Sequence, residues 1–312
     1  MKSAINTSTN TRLLQDPVIL LLIAGALIGM NFPLGKLAGQ AGVPPVLWAL
    51  VISAGASMAL LPALWLRGEL RRPSPRVIRY SVISSLVSFV GPNLLLFTVM
   101  PHTGAGYTGL MFALSPVFTV LLAGLFRLRM PGRLGLLGIG VGLAGAVVVS
   151  VTRSVEPGGP DLGWLLAALL IPVGLAVGNV YRTLDWPAQT PGNVLAFWGQ
   201  LFSSLVFIVL LMLTRGELSI ASLVSAGATT VVQMAVAALS FPFVFRLQRQ
   251  GGPVLMSQMG YVAAAVGLAV ATVFLGERYP LATWLGAGVI AAGIGITIVA
   301  QRRAMADAAP AR

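Results

Sequence analysis

The side chains able to do chemistry in this 312-residue chain are few, and they come in pairs. Asn31 and Asn179 lie 148 residues apart, each about two thirds along an apolar stretch. Ser81, Ser85, Ser88 and Pro92 follow at steps of four, three and four, which is one face of a helix. Adding 148 to Ser81, Ser85 and Pro92 gives Thr229, Gln233 and Ser240, again one face. Tyr107 and Ser115 belong to one further stretch, and Gln258 and Tyr261, three apart and on one face, to another. Polar groups facing lipid are expensive, so polar positions at helical spacing inside apolar runs point inward. Two symmetry-related polar stripes therefore suggest the walls of one passage, with Gln233, long and central, its most telling member. Other readings stand beside this one. Small Ser and Thr let helices approach and bond back to their own carbonyls. An Asn can lock two helices together, and Tyr107 suits an interfacial belt.

Asn31 is followed by Pro33 and Gly35, and Asn179 follows Pro172, Gly174 and Gly178. Such breakers allow bent or partly unwound helices whose freed backbone groups can bind substrate. Lys36 and Arg182 take nearly mirrored places close behind the two asparagines. They could attract an anionic substrate from opposite mouths, or snorkel to the headgroups.

The missing chemistry is equally informative. All eight acids, Asp16, Glu69, Glu156, Asp161, Asp185, Glu217, Glu277 and Asp307, fall at the ends of apolar runs, in connectors or in tails. The single histidine, His102, lies in a connector, with no acid beside it and no recognisable nucleophile motif to make an enzyme. With no cysteine, thiol nucleophiles, disulfides and thiolate metal sites are excluded. Gly140-Val141-Gly142-Leu143-Ala144-Gly145 matches a dinucleotide fingerprint, but it lies inside an apolar helix and not after a strand, so it reads as close helix packing within or between subunits. We expect no catalysis, no metal and no cofactor.

The elements that must position these residues follow from composition. The chain is 57% hydrophobic and 9% charged, against about a quarter charged in soluble domains. Its net charge of +12 is spread between apolar runs and does not form one wetted face, so nucleic acid is not a partner. Runs of about 20 residues span the hydrocarbon core. Ten occur, near 17–37, 44–66, 77–98, 105–126, 132–151, 161–182, 192–213, 222–245, 253–275 and 281–300. The 148-residue offset also pairs Arg67-Gly68-Glu69-Leu70 with Arg215-Gly216-Glu217-Leu218, Gly104 with Gly252, Gly138 with Gly286 and Gly145 with Gly293. The chain is thus expected to be an all-α integral membrane protein of two five-helix repeats, 17–151 and 161–300, with tails at 1–16 and 301–312. An odd number of spans per repeat makes the repeats inverted. Of 20 Lys and Arg, only Lys36, Arg153, Arg215 and Arg278 fall in connectors on the far side, so both termini are expected in the cytoplasm.

The ten spans, the Gly29-Met30-Asn31-Phe32-Pro33 segment, the Phe274-Leu275-Gly276-Glu277-Arg278 turn and the glycine-rich last helix of each repeat resemble the EamA branch of the drug/metabolite transporter superfamily. The first repeat departs from the turn with Arg127-Leu128-Arg129. The resemblance implies a bacterial inner-membrane exporter of amino acids or related metabolites, with sugars, organic anions or drugs as alternative cargo. It implies a central cavity between the repeats, with a small molecule and lipid as partners. The polar residues above are its candidate lining, and a homodimer is compatible with it. Small multidrug pumps of that superfamily use a membrane-embedded glutamate; its absence here suggests facilitated or weakly coupled export.

Overall fold

Pro17 begins the first helix of the computed structural model where proline costs no hydrogen bond, and the Asp16 carboxylate caps it by accepting from the Val18 N–H at 2.8 Å. The structure describes residues 16–70, 72–128, 130–154, 161–214 and 220–307. These form helices α1 (Pro17–Gly29), α2 (Asn31–Gln40), α3 (Pro45–Leu66), α4 (Pro75–Ser84), α5 (Gly91–Thr103), α6 (Ala105–Phe112), α7 (Ser115–Leu125), α8 (Arg133–Ser154), α9 (Leu162–Leu184), α10 (Gly192–Leu213), α11 (Ile220–Ser225), α12 (Gly227–Leu275) and α13 (Leu281–Asp307). A π-helical turn, Ser85–Val90, joins α4 to α5. Strands are absent among the described residues.

Seven stretches among the described residues are long and apolar enough to cross a bilayer, where ten were expected. The difference has local causes. The eighth and ninth expected spans run on as one 49-residue helix, α12, interrupted by Gly252 at φ 67°, ψ −171°. The fourth is divided at Ala113 and Leu114, ahead of Pro116, into α6 and α7. The fifth, in α8, falls among the shorter apolar stretches, Arg133–Gly145, while the first remains one span and is only notched where α1 passes to α2 through Met30, which keeps right-handed helical angles. The unwinding expected around Asn179 does not occur, because α9 continues through Pro172, Gly174 and Gly178. The second copy of Arg-Gly-Glu-Leu, 215–218, lies outside the described residues.

Glycines set two features of the packing. Gly104 and Gly252, 148 residues apart, both take positive φ, 82° and 67°, where a side chain would be strained. A Cβ on Gly138 would stand 2.9 Å from the Gly293 carbonyl oxygen, and one on Gly145 would stand 2.6 Å from that of Gly286. Hence α8 and α13 run antiparallel with their backbones nearly touching, as the glycine-rich stretch suggested. The offset carries Gly138 to Gly286 and Gly145 to Gly293, so each contact maps onto the other with its partners exchanged. Where glycine is lacking, Arg127 ends the helix before it at φ 52°, the left-handed angle that Gly276 takes at φ 65° in the other half. Away from this pair the helices enclose one apolar core, centred on Phe32, Trp48, Tyr80, Phe207, Phe245 and Tyr261.

Candidate functional site

The core is not filled completely. A cavity of about 80 Å³ lies where α1, α2, α3, α5, α6, α7, α9 and both legs of α12 converge, next to the π turn. Its polar lining is Asn31, Ser88, Asn93, Ser115, Asn179, Arg182, Ser240 and Ser257. Its apolar lining includes Phe32, Phe89, Phe112, Phe241, Met256 and Met259. Much of this lining is paired by the 148-residue offset: Asn31 with Asn179, Phe89 with Ala237, Pro92 with Ser240, Asn93 with Phe241, Leu96 with Val244, and Phe112 with Gly260. Both halves of the chain therefore supply the wall from corresponding positions.

Two wider voids flank it. One of about 590 Å³ is lined by Lys36, Gln40, Trp48, Phe97 and Gly104, at the C-terminal end of α2. The other, about 480 Å³, includes Pro17 at the opposite end of that span, with Thr183, Gly252, Leu255 and Gln258. Neighbouring residues line the central cavity and the flanking voids: Leu96 the cavity and Phe97 the first void, Arg182 the cavity and Thr183 the second.

The two amides of the cavity are held differently. Asn31 donates from Nδ2 to the Ile28 carbonyl at 2.9 Å and accepts at Oδ1 from Gln233 Nε2 at 2.7 Å. Asn179 accepts at Oδ1 from Arg182 Nη2 at 2.8 Å, and its backbone carbonyl receives Thr183 Oγ1 and Gln248 Nε2. Arg182 is only 4% exposed, and no carboxylate meets it among the described residues. The nearest acid in sequence, Asp185, is taken at 2.6 Å by Arg79 and at 2.9 Å by the Tyr181 hydroxyl. The guanidinium carbon instead lies 5.4 Å from the centre of the Phe89 ring and 5.7 Å from that of Phe245. Burying an ion costs several kcal/mol even after relaxation. A cation–π contact returns about 0.5–2 kcal/mol and the C-terminal end of α9 about 0.3–1. Arg182 Nε, moreover, is buried with no partner at all. The arrangement leaves an incompletely neutralised cation on the cavity wall.

This overturns the snorkelling account of Arg182, which lies inside the protein and does not reach a headgroup. Lys36 is partly exposed, and its ammonium meets Glu277 at 2.5 Å, 241 residues away in the chain. Glu277 also accepts from the Tyr279 hydroxyl.

Of the other expected residues, Ser88 and Ser115 line the cavity, and Gln233 reaches it through Asn31. Ser85 bonds back to the Val82 carbonyl at 2.8 Å. Gln258 lies one layer out, in the wall of the 480 Å³ void. Tyr261 is buried against Gly142 and donates to the Ile139 carbonyl at 3.3 Å. Tyr107 is 4% exposed and outside the lining, so it is no belt residue. Asn93 and the phenylalanines escaped the sequence reading, which searched for polar residues at helical spacing. Asn93 was detectable as the neighbour of Pro92; the phenylalanines carry no contrast inside apolar runs.

Residues 17–151 match the EamA-like transporter family. Over 255 residues the chain is 25% identical to the "Uncharacterized inner membrane transporter YedA" of Escherichia coli K12, with 79% of each chain covered. The same similarity holds for that protein in the O6:H1 and O157:H7 strains. The family match thus covers the first five-helix stretch of the chain, and the similarity to the relatives runs beyond it. A crystal structure aligns on 91% of this chain and 97% of its own with a TM-score of 0.67 at 20% identity, which speaks for the fold alone. The apolar helices long enough to cross a bilayer and the similarity to an inner-membrane transporter agree with a multi-pass membrane protein, and the cavity at its centre is where its helices present polar groups.

Proposed function

We propose that the protein exports amino acids or related small metabolites by alternating access through the central cavity. The observation that carries this is a narrow central cavity lined from corresponding positions of both halves, with two wider voids near it. At about 80 Å³ the cavity is narrow, and in this reading binding widens it toward one void at a time. In this reading the spans form two inverted five-helix repeats, 17–151 and 161–300, and both tails are cytoplasmic. The exchanged glycine contacts of α8 and α13 support that reading, because antiparallel helices related by a local two-fold are what inversion produces. Asn31, Asn179, Ser88 and Ser115 contact substrate, with Gln233 behind Asn31.

Counterflow in proteoliposomes tests transport. Labelled amino acid should equilibrate against unlabelled amino acid inside, and failure across a panel of amino acids would remove the reading. An imposed proton gradient should leave the rate nearly unchanged, since the described cavity lining holds no carboxylate. Reporter fusions after Arg72 and after Leu218 should face opposite sides of the membrane; the same side for both would sink the inversion.

A further inference from the structure

The strongest unexplained group in the molecule is Arg182. It is nine-tenths buried, its Nε is unpartnered, and its one hydrogen bond goes to a neutral amide. It lines the central cavity, while the next residue, Thr183, lines the void at the Pro17 end. Across the cavity from both halves come Phe32, Phe112 and Met256, an apolar surface with no charge.

We propose that the substrate is a monocarboxylate with an apolar body, its carboxylate bound by Arg182. This rests on reading the central cavity as the substrate site. A guanidinium presents donors in the planar fork that a carboxylate matches. Charge count selects the class. Arg182 is the only cation among the described lining residues, and Lys36 is engaged by Glu277 outside the cavity. One carboxylate neutralises one guanidinium, whereas a phosphate dianion or a dicarboxylate would leave a net charge in a low-dielectric site. The Ser88 hydroxyl, buried and unpartnered on the same wall, adds a further bonding group. The aromatic and methionine surface then accepts the body of the substrate. The cavity holds no acid among its described lining, so an ammonium on the substrate goes unpaired there and weakens binding relative to the same body without the amine.

Three near-isosteric probes separate the groups: leucine, 4-methylpentanoate, which lacks the amine, and leucinamide, which lacks the charge on the carboxyl group. Binding to the purified full-length protein is read by thermal shift and calorimetry. Both carboxylates should bind the wild type, and leucinamide at least about tenfold more weakly. Arg182→Gln should weaken both carboxylates at least about tenfold and leave leucinamide no weaker, since its ammonium no longer faces a guanidinium; Arg182→Lys, which keeps the charge without the fork, should fall between. Equal binding of leucinamide and leucine overturns the proposal, as do unaltered carboxylate binding by Arg182→Gln, tighter binding of inorganic phosphate, or failure of both carboxylates to bind the wild type. Carboxylate binding without leucine counterflow would instead defeat the transport reading and leave the assignment of Arg182 in place.

Discussion

The two asparagines of the central cavity stand 148 residues apart at corresponding positions, and their surroundings are finished differently. At the Asn31 end both polar atoms of the amide are bonded, to Ile28 and Gln233, and the nearby cation Lys36 has its carboxylate in Glu277. At the Asn179 end the amide supports Arg182, which has no carboxylate, and the nearby acid Asp185 is held by Arg79 and Tyr181. Lys36 and Arg182 occupy similar places in the sequence, but a partner distant in the chain satisfies one and leaves the other. Corresponding positions thus carry unequal chemistry, with the unpaired charge concentrated beside Asn179. Substituting each end in turn measures how far the asymmetry goes.

The largest difference should come from Arg182→Met. Removing a charge that holds a desolvated anionic ligand costs about 2–5 kcal/mol, so carboxylate counterflow should fall at least about 30-fold. A methionine of similar length also relieves a buried, unpaired ion, so the thermal midpoint in detergent should hold or rise. Retained flux with a lowered midpoint would make Arg182 a structural residue and erase the contrast.

Next in size is the other cation. Glu277→Gln leaves Lys36 facing a neutral amide, and loss of a half-buried, charge-assisted bond should cost about 1.5–3 kcal/mol of stability. The charge-reversed double variant Lys36→Glu with Glu277→Lys should recover most of that loss in thermal unfolding. Carboxylate flux should change by less than about tenfold in either case, because the pair lies outside the central cavity. If the double variant is no more stable than the single one, the ion pair contributes nothing and this end is not closed in the way described.

At Gln233 the expected effect is smaller. Gln233→Leu deprives Asn31 Oδ1 of its donor but also removes the glutamine's own unpartnered Oε1. The two changes oppose each other, leaving a net loss of about 1 kcal/mol or less in denaturant unfolding. A loss several times larger would show that the Asn31 end depends on a wider network than one bond.

How much of this was legible beforehand differs by kind of residue. The helices were legible because apolar runs declare themselves by length, and the breaks at Gly104 and Gly252 because only glycine takes those angles without strain. Asn31, Asn179, Ser88 and Ser115 stood out as polar side chains in apolar helices, and all four reach the cavity. Phe32, Phe89, Phe112 and Phe241 reach it as well, but an apolar side chain in an apolar helix does not reveal whether it faces lipid, a neighbour or a substrate. The π turn at Ser85–Val90 was equally hidden: one extra residue in a turn shifts the helical face, turning Ser85 onto the Val82 carbonyl while Ser88 lines the cavity. The opposite fates of Lys36 and Arg182 could not be read at all, since they depend on which carboxylates tertiary folding brings near.

Ser88 and Ser85 give the finest test, because they are three residues apart and chemically identical. The Ser88 hydroxyl is buried on the cavity wall without a partner, whereas that of Ser85 is satisfied by its own helix. In Ser88→Ala the protein loses a desolvated hydroxyl that bonds to nothing, so stability should stay within about 0.5 kcal/mol of the wild type or increase. The substrate, in contrast, loses one neutral hydrogen bond worth about 0.5–1.5 kcal/mol, a rise in KM of about two- to tenfold with little change in maximal flux. In Ser85→Ala the broken bond is local and water-free, and KM should not move. Equal KM for the two variants would place Ser88 among the packing serines and leave the asymmetry of the cavity resting on Arg182 and Asn179 alone.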